Sequence, residues 1–359
     1  MRLLSKINII PIFVPHLGCP NDCVFCNQKK IAQASTDVDR SFVKDRIEEY
    51  LSYFKDKTNT EIAFYGGSFT AIDRDIQNSL LQVAKEYKEA GKVKSIRLST
   101  RPDCIDEKIL KNLKDHLVDT IELGVQSLDE KVLELSKRGH AASCVYQASQ
   151  MIKDFGFNLG LQQMLGLPGD SKESCYYTAC EFKKIGPKFV RIYPSLVIKQ
   201  TSMEKDYKSG KYKPISFDET IEISKELVKF YELNGIEVIR LGLQPTENIQ
   251  LGKDVVAGPF HPSIRQFVDG EIFYDIIYNF LKDKNITKEE VTIFASNKNI
   301  SNISGQKSSI KKRLINNLKL KNLRLTYKDL DENHLILSYK DKTEEIDIRK
   351  LIKTEIVCD

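Results

Sequence analysis

Short β-branched runs alternate with longer helical patterns through the first two-thirds of the chain, and this alternation restricts the fold more than any other feature. The runs are Ile7–Val14, Glu61–Tyr65, Ser95–Ser99, Thr120–Gly124, Asn158–Gln162, Phe189–Tyr193 and Glu237–Arg240. Between the first two, Asp39–Phe54 carries Val43, Ile47, Tyr50, Leu51 and Phe54 at helical spacing. Asp73–Ala90, Glu107–Leu117, Leu128–Ser136, Ser143–Phe155, Lys172–Ile185 and Phe217–Asn234 behave alike, and Gly91, Gly156 and Gly235 stand where helices stop. Strands separated by helices of this length pair in parallel, because a parallel neighbour needs a long crossover. Such units close as a full or partial barrel or lie as an open doubly wound sheet, and in either layout ligands sit at the carboxyl ends of the strands. At those ends fall His16–Gly18, Gly66–Gly67, Thr100–Asp103, Gln126–Ser127 and Gly166–Gly169.

With 41% hydrophobic and 29% charged residues in 359, the composition excludes a disordered chain or a fibre. No stretch approaches the roughly 18 uninterrupted apolar residues of a membrane span, so no membrane partner is expected. The opening apolar run is broken by Pro11 and Pro15 and lacks a small-residue cleavage site. It reads as a first buried strand, not a signal peptide. Of eight cysteines, Cys19, Cys23 and Cys26 crowd into one loop, and Cys104, Cys144, Cys175, Cys180 and Cys358 are scattered without assignable spacing. A secreted disulfide scaffold is small and evenly cross-linked, so a reducing cytoplasm is the better expectation. Residues 284–359 hold 16 basic and 11 acidic residues, which is the whole net charge of +5. Residues 291–328 carry nine basic residues and no acidic one. That asymmetry fits a polyanion surface, and it equally fits a solvated face in a lysine-rich chain.

The loop after the first run reads Cys19-Pro-Asn-Asp-Cys23-Val-Phe-Cys26. Structural zinc takes four ligands, usually as two pairs, and no second pair follows; His16 or another cysteine would have to complete a zinc site. Three thiolates on one tight loop also suit three irons of a cubane cluster, leaving the fourth iron open to a non-protein ligand. This C-x3-C-x2-C spacing, with Phe25 before the last cysteine, resembles the radical S-adenosylmethionine (SAM) superfamily. The resemblance implies a partial (β/α)6-type TIM barrel, a 4Fe–4S cluster on Cys19, Cys23 and Cys26, and SAM as cosubstrate. It further implies one-electron cleavage of SAM to a 5′-deoxyadenosyl radical, with the electron drawn from a flavodoxin- or ferredoxin-type donor.

Further motifs follow in the family's order: Phe64-Tyr-Gly-Gly-Ser-Phe-Thr70, Ser99-Thr-Arg-Pro-Asp103, Gly124-Val-Gln-Ser127, Lys137-Arg-Gly-His140 and Gln162-Gln-Met-Leu-Gly-Leu-Pro-Gly169. By resemblance, Gly66, Gly67 and Ser68 meet the methionine end of SAM. Gln126 and Arg138 contact its ribose or carboxylate, and Met164 and Gly166 border the adenine. Each has a plainer reading as a turn, a cap or core, and the ordered series is what carries the assignment. No catalytic side chain is assigned.

Within the superfamily, FYGGSFT at 64–70, ELGVQS at 122–127 and the long stretch Arg191-Ile-Tyr-Pro-Ser-Leu-Val-Ile-Lys-Gln-Thr201 resemble the Elongator catalytic subunit, which modifies the wobble uridine of tRNA. That subunit has a wider gap between its first cluster cysteines and carries an acetyltransferase domain. Fewer than 80 residues follow the core and its closing helix here, without an acyl-CoA pyrophosphate loop, so acetyl-CoA chemistry is not carried over. The tight cysteine spacing equally matches the coproporphyrinogen-oxidase branch, whose glycine motif differs. The expected organisation is a core over 1–245, a linker and closing helix over 246–284, and a small basic α+β domain over 285–359. In the tail, a helix or helix pair over Ile300–Leu318 contains Gly305-Gln-Lys-Ser308, reminiscent of an RNA-binding KH loop with serine for its second glycine. Lys307, Lys311, Lys312 and Arg313 are candidate RNA contacts. Tyr193, Lys199, His261 and Arg265 are candidate substrate contacts, the last two sharing a face if helical. The leading expectation is a SAM-cleaving enzyme acting on tRNA or another RNA. Its rivals are a radical enzyme acting on a small metabolite such as a tetrapyrrole, and a non-enzymatic metal protein that binds nucleic acid.

Overall fold

The computed structural model describes residues 7–14, 19, 21–27, 38–246 and 248–358; His16–Gly18 lie outside them. The chain forms two compact units, one of residues 2–217 and 238–260, the other of 218–237 and 261–359.

The first unit is built on a seven-stranded sheet. Its strands are β1 (Asn8–Val14), β2 (Thr60–Gly66), β3 (Ser95–Thr100), β4 (Thr120–Gln126), β5 (Asn158–Leu165), β6 (Phe189–Pro194) and β8 (Glu237–Leu241), lying side by side in chain order. Neighbours from β1 to β6 pair in parallel. An open doubly wound sheet reverses its order at a switch point, and this one does not, so it curls as a partial (β/α) barrel. A two-stranded ribbon, β7 (Val197–Ile198) with β9 (Val255–Ala257), lies beside it in sequence. Each expected run lands on a strand. The helices begin where short polar side chains cap free backbone N–H groups: Asp39 accepts from Phe42 N, Asp73 from Asp75 N, and Asp106 from Ile109 N. Alternation then sorts each strand into two faces. Ile62, Phe64, Ile96, Leu98, Ile121, Leu123, Leu161, Val190 and Ile192 are fully buried on the face that the crossover helices cover. The other face carries Glu61, Arg97, Glu122, Gln162 and Arg191 toward the lumen.

The second unit holds the helices Phe217–Leu233 and Ile264–Asp283 and a four-stranded sheet, ordered β11 (Asn322–Tyr327), β10 (Glu290–Ala295), β12 (His334–Tyr339), β13 (Lys342–Asp347). β10 pairs with β11 in parallel and with β12 antiparallel. The expected helical stretch is a pair, Asn297–Ser304 and Ser309–Leu318. Gly270 lets the helix Ile264–Asp283 press onto this pair: a Cβ there would stand 3.2 Å from Ile310 Cγ1 and 3.3 Å from the Asn302 carbonyl. Glu226 accepts from Thr354 Oγ1 and Glu355 N at 3.1 and 3.0 Å, which pins the C-terminal segment. Two features differ from the sequence reading. β13 was not anticipated, because Lys342–Asp347 alternates charge rather than hydrophobicity. By compactness the helices at 217–233 and 264–283 go with the tail instead of with the core and linker, since their buried faces meet tail residues far away in sequence.

Candidate active site

The cysteine loop is anchored from both sides. Val24 N donates to the Ser136 carbonyl at 3.1 Å, Met203 N donates to the Val24 carbonyl at 2.9 Å, and Asn27 Nδ2 donates to the Lys199 carbonyl at 3.0 Å. Cys26 N closes a turn onto the Cys23 carbonyl at 3.0 Å. Cys23 is buried, while Cys19 and Cys26 are partly exposed. Two guanidiniums face the Cys23 sulfur: Arg138 Nη1 at 3.3 Å and Arg101 Nη1 at 3.8 Å. Arg138 also donates to the Gly124 carbonyl, and Arg101 donates to the Arg138 carbonyl at 2.6 Å while clamping Asp103 at 2.8 Å. The motifs at 99–103, 124–127 and 137–140 are therefore one hydrogen-bonded assembly around Cys23. Gly139 is required there because a Cβ would stand 2.2 Å from Asn21 Oδ1 of the cysteine loop.

This arrangement fits the group expected on it. Arginine N–H donors aimed at a sulfur stabilise a thiolate, the form that binds iron. Among the described residues no three His, Cys, Asp or Glu side chains converge on one point. A cubane does not require that, because each thiolate binds a different iron.

The residues expected to meet SAM line the neighbouring strand ends. Gly66 ends β2 at φ +118°, and a Cβ would stand 2.2 Å from the Val14 carbonyl oxygen, so only glycine fits. Ser68 is buried and its hydroxyl is shared with Thr100 Oγ1 at 2.8 Å and Arg101 N at 3.2 Å. Gln126 sits at a register shift of β4 with φ +75°, a strained conformation for glutamine. It is buried, and its Oε1 has no hydrogen-bond partner among the described residues. Arg138 Nε, Ser99 Oγ and His140 Nε2 are likewise buried without partners there. Unsatisfied polar atoms gathered at strand ends fit a polar ligand, since leaving such groups buried and unpaired costs about 1–3 kcal/mol each. Burial and the Arg138 charge push the His140 pKa down to about 4, so its ring is neutral. Met164 stands opposite Tyr193 in register, and Gly166 N is held by Asp170 Oδ2 at 2.8 Å.

The sequence reading missed the polar lumen below these groups. Glu122, wholly buried, accepts four hydrogen bonds: from Arg97 Nη1 at 2.8 Å, from Arg191 Nε and Nη2 at 2.7 and 3.0 Å, and from Gln162 Nε2 at 3.1 Å. Burial opposes its ionisation, but Arg191 and Arg97 outweigh that and hold its pKa below the ordinary value. Arg97 reaches Glu61 at 2.7 Å and stacks over Phe189 at 4.7 Å. Gly160 makes room for that ring, because a Cβ there would stand 2.3 Å from it. The available signal was phase: a charged residue recurs on the same face of otherwise apolar strands.

Other expected contacts separate. Lys199 belongs to the β7–β9 ribbon, its N donating to the Asp254 carbonyl at 2.9 Å. His261 does not share a helix face with Arg265, because the helix begins at Ile264; its Nδ1 accepts from Ser263 N at 3.0 Å. Arg265 pairs with Asp269 at 2.7 Å. Arg313 pairs with Glu271 and stacks over Tyr274 at 4.2 Å. Lys307, Lys311 and Lys312 make no ion pair among the described residues, and Lys307 and Ser308 take left-handed conformations at φ +51° and +60°.

The chain resembles known proteins along most of its length. The radical SAM superfamily family model matches residues 13–179, and that of the radical SAM C-terminal domain matches residues 187–273. A tRNA uridine(34) acetyltransferase of Methanocaldococcus jannaschii is 27% identical over 264 residues, 62% of this chain and 49% of that protein. Elongator complex protein 3 of Dictyostelium discoideum is 28% identical over 201 residues, 50% of this chain and 36% of its own. The heme chaperone HemW of Lactococcus lactis is 23% identical over 250 residues, 68% of this chain and 65% of its own. The chain spans about half the length of the uridine acetyltransferases it matches. The structure of Elp3 from the archaeon Methanocaldococcus infernus, lacking its N-terminus, matches with a TM-score of 0.58 at 21% identity, covering 94% of this chain and 75% of that one, a likeness of fold. No helix among the described residues is long and apolar enough to cross a membrane. With the cysteine loop, the strand-end motifs and both family matches in agreement, this chain belongs to the radical SAM superfamily, enzymes that use a 4Fe–4S cluster and SAM.

Proposed function

We propose that this protein is an RNA-modifying radical SAM enzyme whose substrate is tRNA. When bound, the cluster and SAM supply a reactive carbon radical; the protein's own residues position both and exclude water. Cys19, Cys23 and Cys26 are the ligands. Arg138 and Arg101 hold Cys23, Gly66 and Gly67 admit SAM to the main chain, and the unsatisfied Gln126 oxygen accepts from a ligand hydroxyl or amine. The observation that carries the reading is the Cys23–Arg138–Gly124–Arg101 assembly, which joins the family's motifs into one site. The tRNA part rests on the uridine acetyltransferase and Elongator relatives and on the unpaired Lys307, Lys311 and Lys312 around the left-handed Gly305–Ser308 loop. That loop is the KH-like element of a basic domain, where exposed lysines meet backbone phosphates. An electron donor of flavodoxin or ferredoxin type and a cytoplasmic location belong to the same reading, since thiolate ligands suit a reducing compartment.

The test is anaerobic. The full chain is reconstituted with iron and sulfide, given dithionite and SAM, and assayed for 5′-deoxyadenosine with and without bulk tRNA. Deoxyadenosine formation accelerated by tRNA is expected. Changing Lys307, Lys311 and Lys312 to Ala together should flatten the salt dependence of tRNA binding by about two to three counterions. A tetrapyrrole, and not tRNA, accelerating the reaction would favour the metabolite reading, to which the HemW relative points. A protein that binds one zinc and leaves SAM intact refutes both.

A further inference from the structure

Among the described residues the lumen contains three guanidiniums and two carboxylates, and one guanidinium is left over. Arg97 is shared by Glu61 and Glu122, and Arg191 lies against Glu122. Arg240, on β8, has no carboxylate; its Nε donates to the Gly242 carbonyl at 3.0 Å, and its two Nη groups have no acceptor among the described residues. The bond from Gly242 N to the Ile192 carbonyl at 2.9 Å sets Gly242 opposite Tyr193, which brings Arg240 beside Arg191 two residues back. Arg240 is partly buried, so this second cation is held next to Arg191 with little water to screen it. Burial and the Arg191 charge accordingly lower its pKa, against the opposing pull of Tyr193.

Two phenols stand at the same level. Tyr65 ends β2 and its oxygen accepts from Arg191 Nη2 at 3.0 Å, so its own O–H is available to donate. Burial raises its pKa to about 12, which keeps that proton in place. Tyr193 ends β6, and its hydroxyl finds no acceptor among the described residues. Both are only partly buried, and Arg191 interacts electrostatically with each. The inner mouth thus presents donors without acceptors and one unbalanced positive charge.

We infer that Arg240, with the Tyr65 and Tyr193 hydroxyls, binds the single carboxylate of a small cosubstrate, a second molecule beside the tRNA, whose own backbone presents phosphodiesters. The planar guanidinium fork holds two oxygens of a carboxylate or a phosphate alike, so charge decides between them: one carboxylate brings the lumen to neutrality, and a phosphate dianion overshoots it. The cysteine loop follows β1, whereas Arg240 lies on β8, the opposite edge strand in the sheet order. As an anion site this needs only the geometry; as a cosubstrate's anchor it rests on the radical reading above.

The experiment uses the reconstituted full chain under anaerobic conditions at constant ionic strength. Melting temperature is followed against acetate, with phosphate and neutral acetamide as probes, in the wild type, Arg240→Gln and Arg240→Lys, each with and without saturating SAM. Acetate should raise the wild-type melting temperature with SAM present, and acetamide should not. Arg240→Gln should weaken acetate at least tenfold, and Arg240→Lys should recover part of it. Because Arg240 repels Arg191, the glutamine variant should melt no lower than wild type without anion, whereas a merely structural arginine would leave it less stable. The inference is overturned if no carboxylate stabilises the wild type, or if Arg240→Gln binds acetate unchanged. It is also overturned if Arg240→Gln weakens SAM as much as acetate, which would make the site SAM's own, or if phosphate binds more tightly than acetate. Deoxyadenosine formation by the wild type reports separately on the radical reading.

Discussion

Replacing Glu122 with Gln tests the polar lumen most sharply. The change preserves shape and removes one charge from a wholly buried carboxylate that takes hydrogen bonds from two guanidiniums and one amide. Two costs follow. The substituted amide presents N–H groups to Arg97 or Arg191, so at least one donor loses its acceptor. The lumen also goes from one excess positive charge to two, with the cations held by adjacent strands. Removing one member of a buried ion pair costs about 3–5 kcal/mol, mostly from the charge left behind. In a unit of this size that lowers the melting temperature by about 10 °C. Denaturant unfolding of wild type, Glu122→Gln, Arg191→Met and the double variant forms a cycle. The double variant restores the wild-type charge count, so it should lose less than the sum of the single changes, by at least about 1.5 kcal/mol. A Glu122→Gln protein within about 1 kcal/mol of wild type, or strict additivity, refutes the view that this network is desolvated and mutually dependent.

Three further outcomes are expected. Cys23→Ala should abolish the cluster; full iron content and SAM cleavage in that variant would overturn the ligand assignment. Gly66→Ala should cost about 2 kcal/mol or more, because it adds a strained φ to a clash with Val14, and wild-type stability would refute the close approach. Stability should fall as pH drops from about 6.5 towards 4, since His140 titrates at about 4 in the folded protein and 6.5 when exposed. A depressed histidine pKa favours the folded state above the unfolded value, and that contribution is lost on acidification. His140→Gln should flatten the slope over that window, and Glu122, also depressed, adds its loss only below about 4.5. An unchanged slope in His140→Gln would exclude the histidine as its source.

The strands, their parallel pairing and the cysteine loop were legible in the sequence because they are written locally. Alternation, cap residues and ligand spacing act over a few residues, so Asp73 announces its helix and Cys19, Cys23 and Cys26 announce their loop. The strand-end motifs were legible as an ordered series, but their joint purpose was not. That Arg138 faces Cys23 across 115 positions of sequence follows only once β4 and the cysteine loop meet. The basic tail was read as acid-free along the chain, whereas Arg313 finds Glu271, Lys298 finds Glu332 and Arg324 finds Glu290 from other elements. Local sequence determined which elements form and where the candidate metal ligands lie, because those depend on nearest neighbours and periodicity. Tertiary structure alone decided which charges are neutralised and which remain. Arg97, Arg191 and Arg240 are similar strand arginines in the sequence, and only strand register makes two of them partners of Glu122 and leaves the third unpaired.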